Sequence, residues 1–249
     1  REALEDMLAE RIVNRRLEAE ARGEGAPFIS ASIDISRARA GADATYLYVV
    51  PKNGQWRSGL ARAFAILGDA LRAPPSQAEI ARELQNLRTS ATSAVTSEGT
   101  IHSPVRAAQL VAAVDARSVV AGAATILANF ERNAGEMTPE RIGAAMRRMT
   151  QGEGPRLLLV SPQPVADAVL AAGLAEARAA APAERRAERA VRFEDLPPPG
   201  PPGREVSRRS IEDMGVTIVT FANGSTLTFK RTEFERGVVH VRLRFGHGM

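Results

Sequence analysis

The chain has 249 residues, 44% of them hydrophobic and 25% charged, which is enough for one full core or for one domain and part of another. It contains no cysteine, which excludes disulfides, thiolate metal sites and a cysteine nucleophile. The formal net charge of +4 comes from arginines threaded among glutamates, and aromatics are only 4% of residues, a pattern of solvated surface rather than of a nucleic-acid interface.

No apolar run approaches the ~18 residues of a membrane span. The closest, residues 119–130, is interrupted by Gly122 and Asn129. Arg1 falls inside a helical pattern and Met249 just follows a strand-like run, so the chain reads as an excised piece of a longer protein.

Leu4, Met7, Leu8, Ile12 and Leu17 recur at helical spacing over residues 2–21, and Gly23 and Gly25 end that helix. Ile29, Ala31, Ile33 and Ile35 then alternate with polar residues, which predicts a half-buried strand. Residues 45–50 (TYLYVV) form a second β run, and the two are expected to pair as an antiparallel hairpin ended by Pro51 and Asn53-Gly54.

A helix over residues 56–72 follows, with Leu60, Phe64, Leu67 and Leu71 inward. Ser76 with Glu79 is a capping-box signature and starts a helix reaching about Glu98. Residues 102–117 and 118–133 read as two shorter helices. Thr138-Pro139-Glu140 opens another, carrying Ile142, Met146 and Met149 and ending near Gly152. Residues 156–161 (RLLLVS) read as a buried strand, and residues 165–180 as an alanine-rich helix.

The predicted class is α+β, an antiparallel sheet backed by helices on one face. Residues 1–180 form that domain, and residues 181–214, rich in arginine and proline, form a linker. Residues 215–249 hold strands of a further domain. There, residues 216–221 and 226–230 flank the hairpin signal Asn223-Gly224, and residues 238–245 (VVHVRLRF) alternate as a third strand. Three strands with no covering helix leave free edges, so strand-mediated homodimerisation, local disorder or non-native pairing of that segment is expected.

Candidate chemistry is sparse. His240 and His247 lie seven apart on or beside a strand, which puts them on opposite faces, and His102 stands at a helix start. Glu194 and Asp195 point apart in the linker. No phosphate-loop or serine-nucleophile motif occurs. Arg185, Arg186, Arg189, Arg192, Arg204, Arg208 and Arg209 make a basic stretch about the linker, readable as a polyanion-docking segment or as a solubilising tether.

The order of these pieces is similar to the pitrilysin/insulinase family of zinc metallopeptidases. The resemblance rests on NRRLEAEARGEGAPF leading into an alternating hairpin, on the helical run that ends in LLLVSP, and on FANGSTLTFKRTEFERGVVHVRLRFGHG after the linker. It implies a second-type domain, partner of the zinc-bearing one, in a protein whose two halves close over unfolded peptides. In such families two histidines of H-x-x-E-H and a downstream glutamate hold zinc, and the motif's own glutamate is the general base.

This chain has no H-x-x-E-H. Family domains of this type often carry an arginine and, about a dozen residues on, a tyrosine that contacts substrate. Arg15 and Arg16 match the arginine, but Phe28 stands at the tyrosine position and cannot donate a hydrogen bond.

The expected function is therefore a chamber-lining part of a zinc metallopeptidase, inactive by itself. Zn2+ belongs to the parent, with none bound by this part. The expected partners are the zinc-bearing domain, the C-terminal half of the same polypeptide and peptide substrates, with neither nucleic acid nor membrane, and the expected compartment is a bacterial periplasm. A non-catalytic scaffold member of the same family is the alternative, and an arginine-driven polyanion binder the third reading.

Overall fold

The computed structural model describes residues 1–36, 43–115, 118–185, 195, 197–198, 200–234 and 239–246. It divides into two units, Arg1–Arg186 and Ala187–Met249.

The first unit opens with helix α1 (Glu2–Ala21), whose Leu8, Ile12, Val13 and Leu17 are buried; Met7 is half exposed instead of inward. Strands β1 (Phe28–Ser36) and β2 (Ala44–Pro51) pair antiparallel, with Ile33 opposite Leu47 and Asp34 opposite Tyr46. A register shift between Phe28 and Ser30 moves Phe28 into the core and turns Ile29 out to solvent, against the simple alternation expected there. Ala31 and Ile33 keep the expected inward side and pack with α1 in the core.

Helix α2 (Trp56–Arg72) buries Leu60, Ala63, Ile66 and Ala70, and Leu67 and Leu71 flank them. Helix α3 (Gln77–Ser97) begins at the expected capping box: Ser76 N–H donates to Glu79 Oε2 at 2.7 Å and Glu79 N–H donates to Ser76 Oγ at 3.2 Å. Helices α4 (Ser103–Asp115) and α5 (Ala123–Ala134) follow. Helix α6 (Pro139–Arg148) has Thr138 as its cap, and its Ile142 and Met146, with Met149 beyond it, complete the core against α1. Helix α7 (Asp167–Arg178) packs on α2.

The second unit holds a three-stranded antiparallel sheet in the order β3-β4-β5, formed by β3 (Glu205–Ile211), β4 (Val216–Phe221) and β5 (Thr226–Lys230). The turn between β4 and β5 is the predicted Asn-Gly hairpin, with Gly224 at φ 82°, the left-handed region that glycine enters without a Cβ penalty.

The expected α+β class holds, and three local expectations do not. Residues 156–161 are no strand, and Leu158 and Val160 are exposed. An apolar run supplies propensity, but a strand also needs a partner edge, and among the described residues none is paired with it as a strand. Residues 205–211, assigned to the linker, form β3, because β4 supplies a pairing edge for a segment whose own composition (EVSRRSI) is polar. Residues 239–245, within the third strand expected over 238–245, are not part of a strand.

The α2–α7 contact turns on one glycine. A Cβ at Gly173 would lie 2.6 Å from Cζ3 of Trp56, the chain's only tryptophan, so the indole seats directly on the bare backbone. Gly173→Ala gains helix propensity of up to ~1 kcal/mol but must expel the ring, at a cost of roughly 1–3 kcal/mol. The expected outcome is a lower melting temperature together with red-shifted Trp56 emission; unchanged emission would mean that the ring does not pack there.

Candidate functional site

Arg11, Arg15 and Arg16 leave one side of α1 toward α3, where Glu79 and Glu83 stand one turn apart. Arg16 Nε donates to Glu79 Oε1 at 2.8 Å and its Nη2 donates to Glu79 Oε2 at 3.1 Å, a bidentate fork, while Nη1 reaches Asp69 Oδ2 at 3.2 Å. Arg11 donates to Glu83 at 3.2 Å, and Arg15 pairs with the same carboxylate. Arg185 closes the group: its Nε donates to Asp69 at 3.0 Å, and its Nη1 and Nη2 donate to the carbonyls of Pro74 and Ala73 at 2.7 and 2.9 Å.

The carboxylates of this lattice are buried, and the Arg16 side chain is only 13% exposed. Burial pushes Glu79 and Glu83 up. Hydrogen bonds from Arg16 and Ser76 to Glu79, and from Arg15, Arg11 and Asn86 to Glu83, outweigh it, so both carboxyls titrate below their ordinary range.

This geometry revises the substrate-contact reading. Arg16 has its donors committed to Glu79 and Asp69. Arg15 is partly exposed but ion-paired. Phe28 is 0% exposed inside the hydrophobic core and has no surface to offer a peptide. The three residues belong to one helix–hairpin junction, where Phe28 is buried and Arg16 nearly so because α1 packs on both α3 and β1, and Arg15 stays partly exposed beside its ion-pair partner. Arg185, placed by its sequence context in the basic linker, is an anchor of the first unit.

The far edge of β1 is closed by α1. Asn14 Nδ2 donates to the Ile33 carbonyl at 2.9 Å, and the Ile33 N–H donates back to Asn14 Oδ1 at 2.6 Å. One turn earlier Glu10 accepts from the Ile35 N–H; burial first and the Asp34 charge second nonetheless push its carboxyl above the ordinary range. Beyond Asn14 lies a shallow cleft lined by Glu18, Ala21, Arg22, Ile29, Ser30 and Ala31.

The other side of the hairpin is open. Tyr46, Tyr48 and Val50 project from β2 at 46%, 53% and 50% exposure, opposite Asp34, Ser32 and Ser30 on β1. The two rings stack with centroids 5.8 Å apart and planes at 22°. They are both tyrosines of the chain, and their i, i+2 spacing in a period-two run was the signal that marks this face in the sequence.

His102 and His240 are exposed and far apart in sequence, and Asp195 is exposed; Glu194, His247, Arg186, Arg189 and Arg192 lie outside the described residues. Arg208 pairs with Glu205 at 2.8 Å. Among the described residues no group of three or more His, Cys, Asp or Glu could hold a metal ion. Among them, too, no helix is long and apolar enough to cross a membrane.

No family profile matches the chain, and no curated protein does. Solved structures do. The periplasmic protease PqqL from Escherichia coli is similar over 94% of this chain, at 13% identity and TM-score 0.60. An insulinase family protease from Yersinia pestis is similar over 70%, at 9% identity and TM-score 0.60. The ferredoxin protease FusC, solved as a mutant in complex with Arabidopsis ferredoxin, is similar over 92%, at 14% identity and TM-score 0.52. The chain has an insulinase-type protease fold. It spans 26% of PqqL and of FusC and 38% of the Yersinia protein.

Because Arg16 bridges two buried carboxylates from different helices, Arg16→Ala should cost about 3 kcal/mol in urea unfolding. A loss under ~0.5 kcal/mol would show that Arg185 and the caps suffice. The lowered carboxyls also fix a pH dependence. A group whose folded pKa lies below its unfolded value adds stability above the unfolded pKa and loses it as pH falls through the folded one. The stability contributed by Glu79 and Glu83 should therefore be fully present above about pH 5 and lost on acidification below about pH 4.5. The acid-side slope should be shallower in Glu79→Gln/Glu83→Gln than in the unsubstituted chain; Glu10, raised, acts in the opposite sense and is unchanged between the two.

Proposed function

We propose that this chain is a non-catalytic wall of the substrate chamber of a larger insulinase-type zinc protease. The observation that carries this reading is the fold similarity to three proteases of that type, joined to a hairpin whose inner side is locked and whose outer side is exposed and aromatic. Zinc and the general base would reside in a preceding domain of the same polypeptide, and this part would hold extended peptides for it. The similarity to a periplasmic protease supports an exported parent.

Tyr46 and Tyr48 take the contact role first assigned to Arg15, Arg16 and Phe28. Aromatic planes accept many side chains, and Ser30 and Ser32 beside them offer hydroxyls without charge. A scaffold member of the same family fits the same fold; an H-x-x-E-H motif in the parent, N-terminal to Arg1, separates the two.

The test is titration of the chain with an unfolded model polypeptide, reduced and carboxymethylated, followed by calorimetry. Binding should weaken about five- to 150-fold in Tyr46→Ala/Tyr48→Ala, the range for losing two aromatic contacts of ~0.5–1.5 kcal/mol each beyond their area. The purified chain should not cleave the polypeptide with zinc present. Absence of binding, or equal binding by the variant, would remove the contact role from this face.

A further inference from the structure

The outer face of the β1–β2 hairpin changes character along its length. Three residue pairs cross it: Ser30 with Val50, Ser32 with Tyr48 and Asp34 with Tyr46. Ala31 and Ile33, which alternate with them on β1, are buried, so these pairs share the solvent side. One end of the row is uncharged and holds the half-exposed Val50. The other end is an exposed carboxylate set beside a tyrosine that is itself half exposed. Among the described residues no arginine or lysine pairs with Asp34, while Arg11 and Arg15 of α1 are taken by Glu83. The Asp34 charge is felt as far as α1, where it joins burial in pushing the Glu10 carboxyl up.

We propose that this face selects extended peptides bearing an arginine or lysine, whose cation sits on Tyr46 and Asp34, with an apolar side chain four residues away on Val50. The inference rests on the chamber-wall reading above and names the class of peptide that such a wall favours. Directly opposed residues of an antiparallel pair have Cβ atoms about 4.5–5.5 Å apart, so one guanidinium or ammonium reaches ring and carboxylate together. A cation within ~6 Å of a ring centroid is drawn to the negative face of the ring, and the carboxylate adds a charge-assisted hydrogen bond. Tyr48 stacks on one face of the Tyr46 ring, which leaves the other face for the cation.

Spacing adds a second constraint. From the Asp34–Tyr46 pair to the Ser30–Val50 pair is four strand residues, or ~13 Å. An extended peptide lying along the hairpin carries its i and i+4 side chains on one face at that same separation, and turns i+3 to the other face. A cation and a leucine four apart therefore meet both ends of the row at once. Set three apart, they meet only one end. An acidic residue in place of the cation brings like charges together at Asp34 and is rejected.

The test titrates the chain, by fluorescence anisotropy, with labelled peptides in a serine–glycine host. Each carries one leucine and, four residues before or after it, an arginine, a glutamine or a glutamate; a further pair sets arginine and leucine three apart. In at least one order arginine should bind about three- to thirty-fold tighter than glutamine, and glutamate more weakly than glutamine. Moving the arginine to three apart should remove that advantage. Asp34→Asn should cut the advantage about 1.4- to five-fold and leave the glutamine peptide unchanged, as should 1 M salt, where charges are screened within ~3 Å. Asp34 is exposed, so its variant keeps the fold. Equal binding of arginine and glutamine peptides would overturn the selection and leave the chamber wall standing. An arginine preference indifferent to Asp34→Asn, or to spacing, would overturn the site assigned to it. If no short peptide binds, the unfolded polypeptide separates the two readings: binding that Tyr46→Ala/Tyr48→Ala weakens keeps the wall and sinks the selection, and no binding sinks both.

Discussion

What the first unit depends on is that α1 serves β1 as a neighbouring strand would. A two-stranded hairpin is at best marginal by itself in water, and β1 has no second strand on its far side among the described residues. Asn14 answers both backbone groups of Ile33 with one amide, and Glu10 answers the N–H of Ile35. The i, i+4 spacing of Glu10 and Asn14 along a helix matches the i, i+2 spacing of Ile33 and Ile35 along a strand, since ~6 Å of rise covers four helical residues and ~6.6 Å two extended ones. Helix and strand thus run in register, and the helix's apolar stripe of Leu8, Ile12, Val13 and Leu17 closes over the inner face of the same hairpin.

That arrangement needs α1 itself to be fixed, and the arginine–carboxylate lattice fixes it. Hydrophobic packing is non-directional and tolerates rotation of α1 about its axis; a bidentate fork at 2.8 and 3.1 Å does not. Glu79 is doubly used, since its carboxylate also accepts from the Ser76 backbone at the start of α3. The rotation of α1, the start of α3 and, through Asp69 and Arg185, the end of α2 are therefore set by one connected group. The carboxylates and Arg16 lie below the surface, where screening is weak and an unpaired member is costly, so the lattice specifies geometry more than it adds net stability.

Features encoded locally were legible in the sequence. The capping box at Ser76 and Glu79, the Thr138-Pro139 helix start and the Asn223-Gly224 turn each need only three or four residues to specify, and each stands where expected. The hairpin was legible because its alternation spans a whole strand, although the bulge between Phe28 and Ser30 reversed Phe28 and Ile29, which no period-two pattern announces. What failed needed a partner from elsewhere in the chain. RLLLVS has the composition of a buried strand and EVSRRSI does not, yet only the second is paired, because pairing depends on β4 and not on propensity. The roles of Arg15, Arg16 and Arg185 were likewise hidden. Positive charge on a helix reads the same whether it meets solvent, substrate or three buried carboxylates, and the acceptors lie 53 to 116 residues away in sequence.

The division between a locked and an open side bears on how such a hairpin meets another polypeptide. An extended peptide normally joins a sheet through its edge, where main-chain groups give affinity irrespective of sequence. On the β1 side that route is taken at Ile33 and Ile35 by the α1 side chains. On the proposed reading recognition falls to side chains on the outer face, and the face bears two stacked rings, a valine and two serines, with Asp34 as the charge set directly across from a ring. Rings and hydroxyls discriminate little among partners and hold each of them weakly. If this face lines a chamber as proposed, many unfolded sequences can be admitted and released through contacts of that kind, whereas an open backbone edge would bind longer and invite aggregation.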